Sequence, residues 1–123
     1  MCGIYFFFNE HQNILMNSLS HRGPDNLSTF KNERVHMQFS RLKINDLSDN
    51  GNQPLSFNNC RLICNGEIFN HEELKHFHGF TTVSNSDCEI IIHMYLYLKN
   101  KYDNIYQIVD MLCNSLDGEF SFC

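Results

Sequence analysis

An unbroken apolar and aromatic run, Gly3-Ile4-Tyr5-Phe6-Phe7-Phe8, begins at the third residue of the chain. It is short and has no helical period, so it reads as a buried strand starting at the N-terminus. A terminus anchored in a sheet is held rather than frayed, and the residue so held is Cys2. If Met1 is removed, which a side chain as small as cysteine permits, Cys2 carries a thiol and a free α-amine on one carbon. An α-amine titrates near ~7.7–8.0, so its neutral form can take the thiol's proton directly or through one water. The plain alternative is a start residue that happens to be followed by cysteine.

At 123 residues the chain is one domain at most, and its 42% hydrophobic content is enough for a true core. A formal charge of −5 gives no electrostatic reason to expect nucleic acid or an anionic membrane as partner. The longest apolar runs, 4–8 and 90–92, are far too short to span a bilayer, and no signal-peptide pattern opens the chain. Six cysteines are spread along a Phe- and Ile-rich chain that needs no staples, which predicts reduced thiols and a cytoplasmic setting. No metal site is expected. His76 and His78 form one close pair and Cys60 and Cys64 another, but no second pair at zinc-ligand spacing accompanies them.

Along the chain, residues 11–20 are predicted as a short helix and His21-Arg22-Gly23-Pro24-Asp25 as loop. Strands are expected at 29–30 and 35–39, with Val35, Met37 and Phe39 on one face. Residues 46–54 make a polar loop, and a strand at 61–64 runs into the turn-prone pair Asn65-Gly66. Asn70 with Glu73, and Ser86 with Glu89, have the spacing of capping boxes. They would open helices at about 71–76 and 87–99. The second is apolar nearly all round and should be buried. A third helix, 104–115, carries Ile105, Ile108, Val109, Leu112 and Leu116 as one stripe, and 120–122 begins a last strand. The order predicts an α+β or layered α/β/β/α domain.

Four polar clusters sit beside strand ends or helix starts. Cys2 is the first. Arg41, after a strand, has the planar fork that clamps a carboxylate, although such an Arg is commonly a solvated rim charge. Asn65-Gly66 can supply a side-chain amide and an unhindered backbone N–H to one oxyanion; from the dipeptide alone a hairpin turn is favoured. Asp87 lies in a first helical turn, where the backbone dipole favours its ionised form and where it could meet an ammonium group; Asp is also simply common there. Together the clusters supply a nucleophile, a base, an oxyanion pair, a carboxylate clamp and an ammonium acceptor. That set suits an α-amino acid whose side chain ends in a carbonyl.

Met-Cys-Gly-Ile at 1–4, His-Arg-Gly-Pro-Asp at 21–25, Arg-Leu-Lys-Ile-Asn-Asp-Leu-Ser at 41–48, Gln53-Pro54-Leu55, Asn-Gly-Glu-Ile-Phe-Asn-His at 65–71, Ser-Asp-Cys-Glu-Ile-Ile at 86–91 and Leu-Asp-Gly-Glu-Phe-Ser-Phe at 116–122 follow one another in order. The chain resembles the glutaminase domain of class II, N-terminal-nucleophile glutamine amidotransferases. Within them it is most similar to glutamine-hydrolysing asparagine synthetase. The resemblance implies a four-layer α/β/β/α sandwich and hydrolysis of L-glutamine to L-glutamate and ammonia. It assigns Cys2 as nucleophile, Arg41 to the α-carboxylate, and Leu42, Lys43, Ile44 and Asn45 to the pocket wall. Asn65 and Gly66 become the oxyanion hole, Glu67 a contact of the substrate amide, and Asp87 the partner of the α-ammonium.

Asn45 departs from the family, which more often has Val there. The family's domain also continues past Phe122, so residues 1–123 are expected to be a partial, C-terminally incomplete glutaminase domain. No cofactor is expected for this half-reaction. ATP and Mg are implied only for a synthetase domain, which these residues do not contain and which would receive the ammonia in cis or in trans for asparagine biosynthesis. A homodimer is left open. The alternatives are another class II amidotransferase, of an amino-sugar or purine pathway, or a non-catalytic remnant that binds glutamine or a partner.

Overall fold

A computed structural model describes residues 2–9 and 19–123. Met1 and most of the helix expected at 11–20 lie outside the described residues. The strands are β1 (Gly3–Phe8), β2 (Asn26–Lys31), β3 (Val35–Arg41), β4 (Leu55–Phe57), β5 (Cys60–Leu62), β6 (Cys64–Ile68) and β7 (Gly118–Phe122). The helices are α1 (His71–His78), α2 (Ile90–Lys99) and α3 (Ile105–Ser115), and a 3-10 turn at Asp87–Glu89 leads into α2. This mixture agrees with the α+β class expected from the sequence.

The N-terminal strand forms as its apolar run predicts, but it is not the buried strand expected: only Gly3 is buried, and Phe6 and Phe8 are 39% and 56% exposed on the edge of the sheet. It pairs antiparallel with β3, from Gly3 opposite Ser40 to Phe8 opposite Val35, and β2 pairs with the other edge of β3. The order is therefore β1-β3-β2. Val35, Met37 and Phe39 share a face with Ile4, Phe30 and Cys2, and close over the fully buried Ile63. Side chains alternate along an extended chain, so Leu62 and Cys64, flanking Ile63, turn the other way. They join the larger core built by Ile68, Ile90, Ile91, Met94, Leu98, Ile108 and Leu112. The segment 62–64 thus separates a strand-lined core from a helix-lined one.

Several local expectations need correction. Asn65-Gly66 is no hairpin turn. It lies inside β6, where Asn65 opposes Ser121 and Gly66 opposes Phe120 of β7. The tight turn comes earlier, between β4 and β5, where Asn58 and Asn59 take φ of 45° and 63°. Asparagine tolerates that left-handed region better than most residues. Asn70 is not the acceptor of a capping box. Its side chain donates to Ser115 O at 2.9 Å and accepts from Asp117 N at 3.0 Å, joining the start of α1 to the end of α3. Ser86 makes no side-chain cap bond either.

α2 is buried as predicted, with Ile90, Ile91, Ile92, His93, Met94 and Leu98 inside. The α3 stripe is split: Ile108, Leu112 and Leu116 are buried, whereas Ile105 and Val109 stay 49% and 42% exposed. Among the described residues no helix is long and apolar enough to cross a membrane.

Candidate active site

A cavity of about 220 Å3 opens where the end of β3, the middle of β6 and the turn before α2 meet. Its lining includes Cys2, Arg41, Leu42, Ile44, Asn45, Asn65, Gly66, Glu67 and Asp87. Lys43, also expected at the site, does not line it. The Lys43 backbone N–H donates to Asp25 Oδ2 at 2.8 Å and its ammonium pairs with Asp49 at 3.2 Å.

The β1–β3 ladder delivers Cys2 to the residue that follows β3. Leu42 N donates to Cys2 Sγ at 3.3 Å, and the Leu42 carbonyl lies 3.6 Å from the same sulfur. Arg22 Nε donates to the Cys2 carbonyl at 3.1 Å. That explains the 21–25 loop, which the sequence marked as a motif without assigning its parts. Asp25 N donates to Arg41 O at 3.0 Å. A Cβ on Gly23 would stand 2.1 Å from Ser40 O, so only glycine lets the loop lie this close to β3.

Arg41 is buried, and its guanidinium is less open than a free clamp would be. Nη1 donates to Ser48 O and Asn52 Oδ1, both at 2.7 Å, and Nη2 donates to the Asp46 carbonyl. A guanidinium has five N–H donors, so two stay uncommitted among the described residues. Gly51 packs on this group; a Cβ there would meet Arg41 Nη2 at 2.2 Å. Asp46 holds the loop from the other side, accepting from Ser48 N, Ser48 Oγ and Asn85 N. The Ser48 hydroxyl is the main reason its carboxyl titrates below the ordinary aspartate value, with the backbone donors adding to it against a burial cost.

Across the cavity, Gly66 allows β7 to approach. A Cβ at Gly66 would lie 2.3 Å from Glu119 O and 2.6 Å from Phe120 Cα. Asn65 Oδ1 is buried with no hydrogen-bond partner among the described residues. Asp87 is buried, and each of its oxygens accepts one N–H: Oδ1 from Asn45 Nδ2 at 3.0 Å and Oδ2 from Ile68 N at 2.7 Å. Next to it the buried Glu89 gathers Val83 N, Ser84 N, Ser84 Oγ and His93 Nε2. Burial raises the Glu89 carboxyl, but these donors outweigh it and its pKa falls below the usual glutamate value.

Cys64 and Cys88 also line the cavity and escaped the sequence reading. The hydrogen bond to Cys64, then burial, then the Asp87 charge push the Cys88 thiol far up, so it stays protonated. A protonated thiol is neither nucleophile nor ligand. Glu119 is a further unforeseen lining residue, opposite Glu67 across the β6–β7 pair.

Comparison with known proteins finds a family match and several relatives. The sequence profile described as a glutamine amidotransferase domain matches residues 1–122. The chain is 36% identical over 117 residues to asparagine synthetase [glutamine-hydrolyzing] 1 of Bacillus subtilis, covering 82% of this chain and 18% of that protein. It is 42% identical over 114 residues to asparagine synthetase [glutamine-hydrolyzing] of Brassica oleracea, covering 88% and 17%. The probable asparagine synthetase [glutamine-hydrolyzing] of Dictyostelium discoideum matches at 34% over 139 residues, covering 99% and 23%. The chain therefore spans about a fifth of the length of these curated relatives.

Proposed function

The chain belongs to the glutamine amidotransferase domain family, and from that premise we propose that it hydrolyses L-glutamine to L-glutamate and ammonia through a thioester on Cys2. Once Met1 is removed, the α-amine of Cys2 takes the thiol proton and the sulfur attacks the side-chain amide carbon. The amide of Asn65 and the N–H of Gly66 receive the oxyanion. The amine returns its proton to the departing nitrogen and ammonia leaves. Water, losing a proton to the same amine, then cleaves the thioester to glutamate and the free thiol. Arg41 takes the substrate carboxylate with its uncommitted donors, Asp87 the α-ammonium, and Glu67 the amide end. The wall formed by Leu42, Ile44 and Asn45 closes the remaining side.

What carries this reading is convergence. Cys2, Asn65, Gly66 and Asp87, far apart in sequence, border one cavity. The split of the cores at Ile63 supports an α/β/β stack as three layers of the four-layer sandwich. By likeness to the synthetases, the ammonia is passed to an aspartate-activating domain, in the same chain or another, in a reducing cytoplasmic setting.

A second reading, a binding module without turnover, has one observation in its favour: Ile105, Tyr106 and Val109 leave an apolar face of α3 in solvent, at 49%, 84% and 42% exposure. Intact mass spectrometry before and after a glutamine-like diazoketone separates the two. Loss of one methionine with a single adduct on Cys2, blocked by excess glutamine, is the result expected of the hydrolase. A retained Met1, or a processed chain that takes up no glutamine-protected adduct, leaves the binding module.

A further inference from the structure

Asn45 makes a contact that a pocket wall alone would not require. Its Nδ2 lies 3.0 Å from Asp87 Oδ1. An ionised carboxylate only accepts hydrogen bonds, so the nitrogen of the Asn45 amide must be the atom facing it. The opposite oxygen, Oδ2, takes the N–H of Ile68 at 2.7 Å. Strand β6 and the segment after β3 therefore each hold one oxygen of the same buried carboxylate. With both oxygens held, the carboxylate plane cannot turn; the Cys88 thiol also lies 3.9 Å from Oδ2, so Oδ1 is the oxygen that keeps acceptor capacity for a further donor.

The same short segment also holds the sulfur. Leu42 N donates to Cys2 Sγ at 3.3 Å, and Asn45 donates to Asp87 three residues later. One stretch of backbone thus sets the separation between the proposed nucleophile and the proposed ammonium acceptor. We propose that Asn45 is a positioning residue that aims Asp87 at the α-ammonium of glutamine and ties that acceptor to the Cys2 thiol through residues 42–45. This rests on the glutaminase reading. A valine at this position, the commoner choice in the family the chain resembles, has no donor and could not do it.

The test uses the full chain and compares Asn45→Val, Asp87→Asn and the double variant with the unsubstituted protein. Asn45→Val is expected to raise the KM for glutamine by roughly tenfold, about the weight of one charge-assisted hydrogen bond, with kcat within about twofold. Residues acting through one another are not additive. With Asp87→Asn already in place, Asn45→Val should therefore change kcat/KM by less than about twofold. Glutaramate, which is glutamine without its α-amino group, should be hydrolysed equally by Asn45→Val and the unsubstituted chain.

An unchanged KM, an equal loss in the Asp87→Asn background, or an equal loss with the deaminated analogue overturns the positioning role. If Asn45→Val does not fold, Asn45→Ala removes the same donor and is read by the same criteria. Turnover of glutamine by the unsubstituted chain is measured first. Turnover with an unmoved KM in the variants overturns this role alone, whereas neither turnover nor glutamine binding in the unsubstituted chain removes the proposed function with it.

Discussion

The backbone N–H of Leu42 points at the thiol of Cys2, 3.3 Å from its sulfur. The contact follows from register: Gly3 opposes Ser40 in the β1–β3 ladder, so the residue before Gly3 meets the residues after Ser40. A six-residue strand thereby becomes the mount for a thiol at the chain's start.

Replacing that thiol should cost chemistry and spare the fold. Cys2→Ala is expected to lower glutamine turnover on the order of 10^6-fold, as loss of a nucleophile does elsewhere. The urea midpoint should hardly change, because Cys2 is only partly buried. Turnover assays and urea titration on the same preparation check both halves.

Asn65→Ala should reduce kcat by about 10^2–10^3-fold while glutamine KM stays within a few fold, the pattern of a lost oxyanion donor. Stability should hold or rise, since the change also removes a buried oxygen with no hydrogen-bond partner among the described residues. A fall in affinity with kcat intact would contradict the assigned role.

Gly66→Ala is predicted to destabilise by about 1–3 kcal/mol, the usual cost of overpacking. The added methyl would meet Glu119 O at 2.3 Å and Phe120 Cα at 2.6 Å, backbone that β7 cannot withdraw without breaking its ladder. Urea denaturation should show a lower midpoint at unchanged slope.

Glu89 makes stability depend on acid. Its folded pKa is depressed against an unfolded value near ~4.3. Its contribution is therefore complete above that unfolded value and is lost as pH falls through the lower folded one. Denaturant midpoints should drop as pH falls below about 4.3, and Glu89→Gln should flatten that drop. At neutral pH the same substitution should cost about 1–3 kcal/mol, because Val83 N and Ser84 N lose their anionic acceptor.

Periodicity was a sound guide wherever one element settled its own fate. The apolar run of β1, the alternation of Val35, Met37 and Phe39, and the all-round apolar α2 are each found where the sequence put them. Local signals misled wherever a distant segment intervened. Asn65-Gly66 has good turn chemistry, yet β7 supplies a ladder partner more than fifty residues away and holds the pair extended. Asn70 and Glu89 have capping-box spacing. Asn70 binds the end of α3 and Glu89 binds the loop at 83–84 instead. The one signal within reach and unread was Asn58-Asn59, a pair suited to positive φ between two short strands.

The sequence alone determined the inventory: a thiol next to the terminus, an Asn-Gly pair, an Arg, an Asp and the motifs that carry the family. Residue chemistry is local, so it needs no fold to be read. Tertiary structure alone decided which of these face one another and which are already engaged. It committed three of Arg41's donors to the loop at 46–52, held the Asp87 carboxylate between Asn45 and Ile68, and turned Lys43 toward Asp25 and Asp49. Hydrogen bonds like these, between residues 5 to 42 positions apart, are set by how sheets and loops pack. No spacing along the chain encodes that packing.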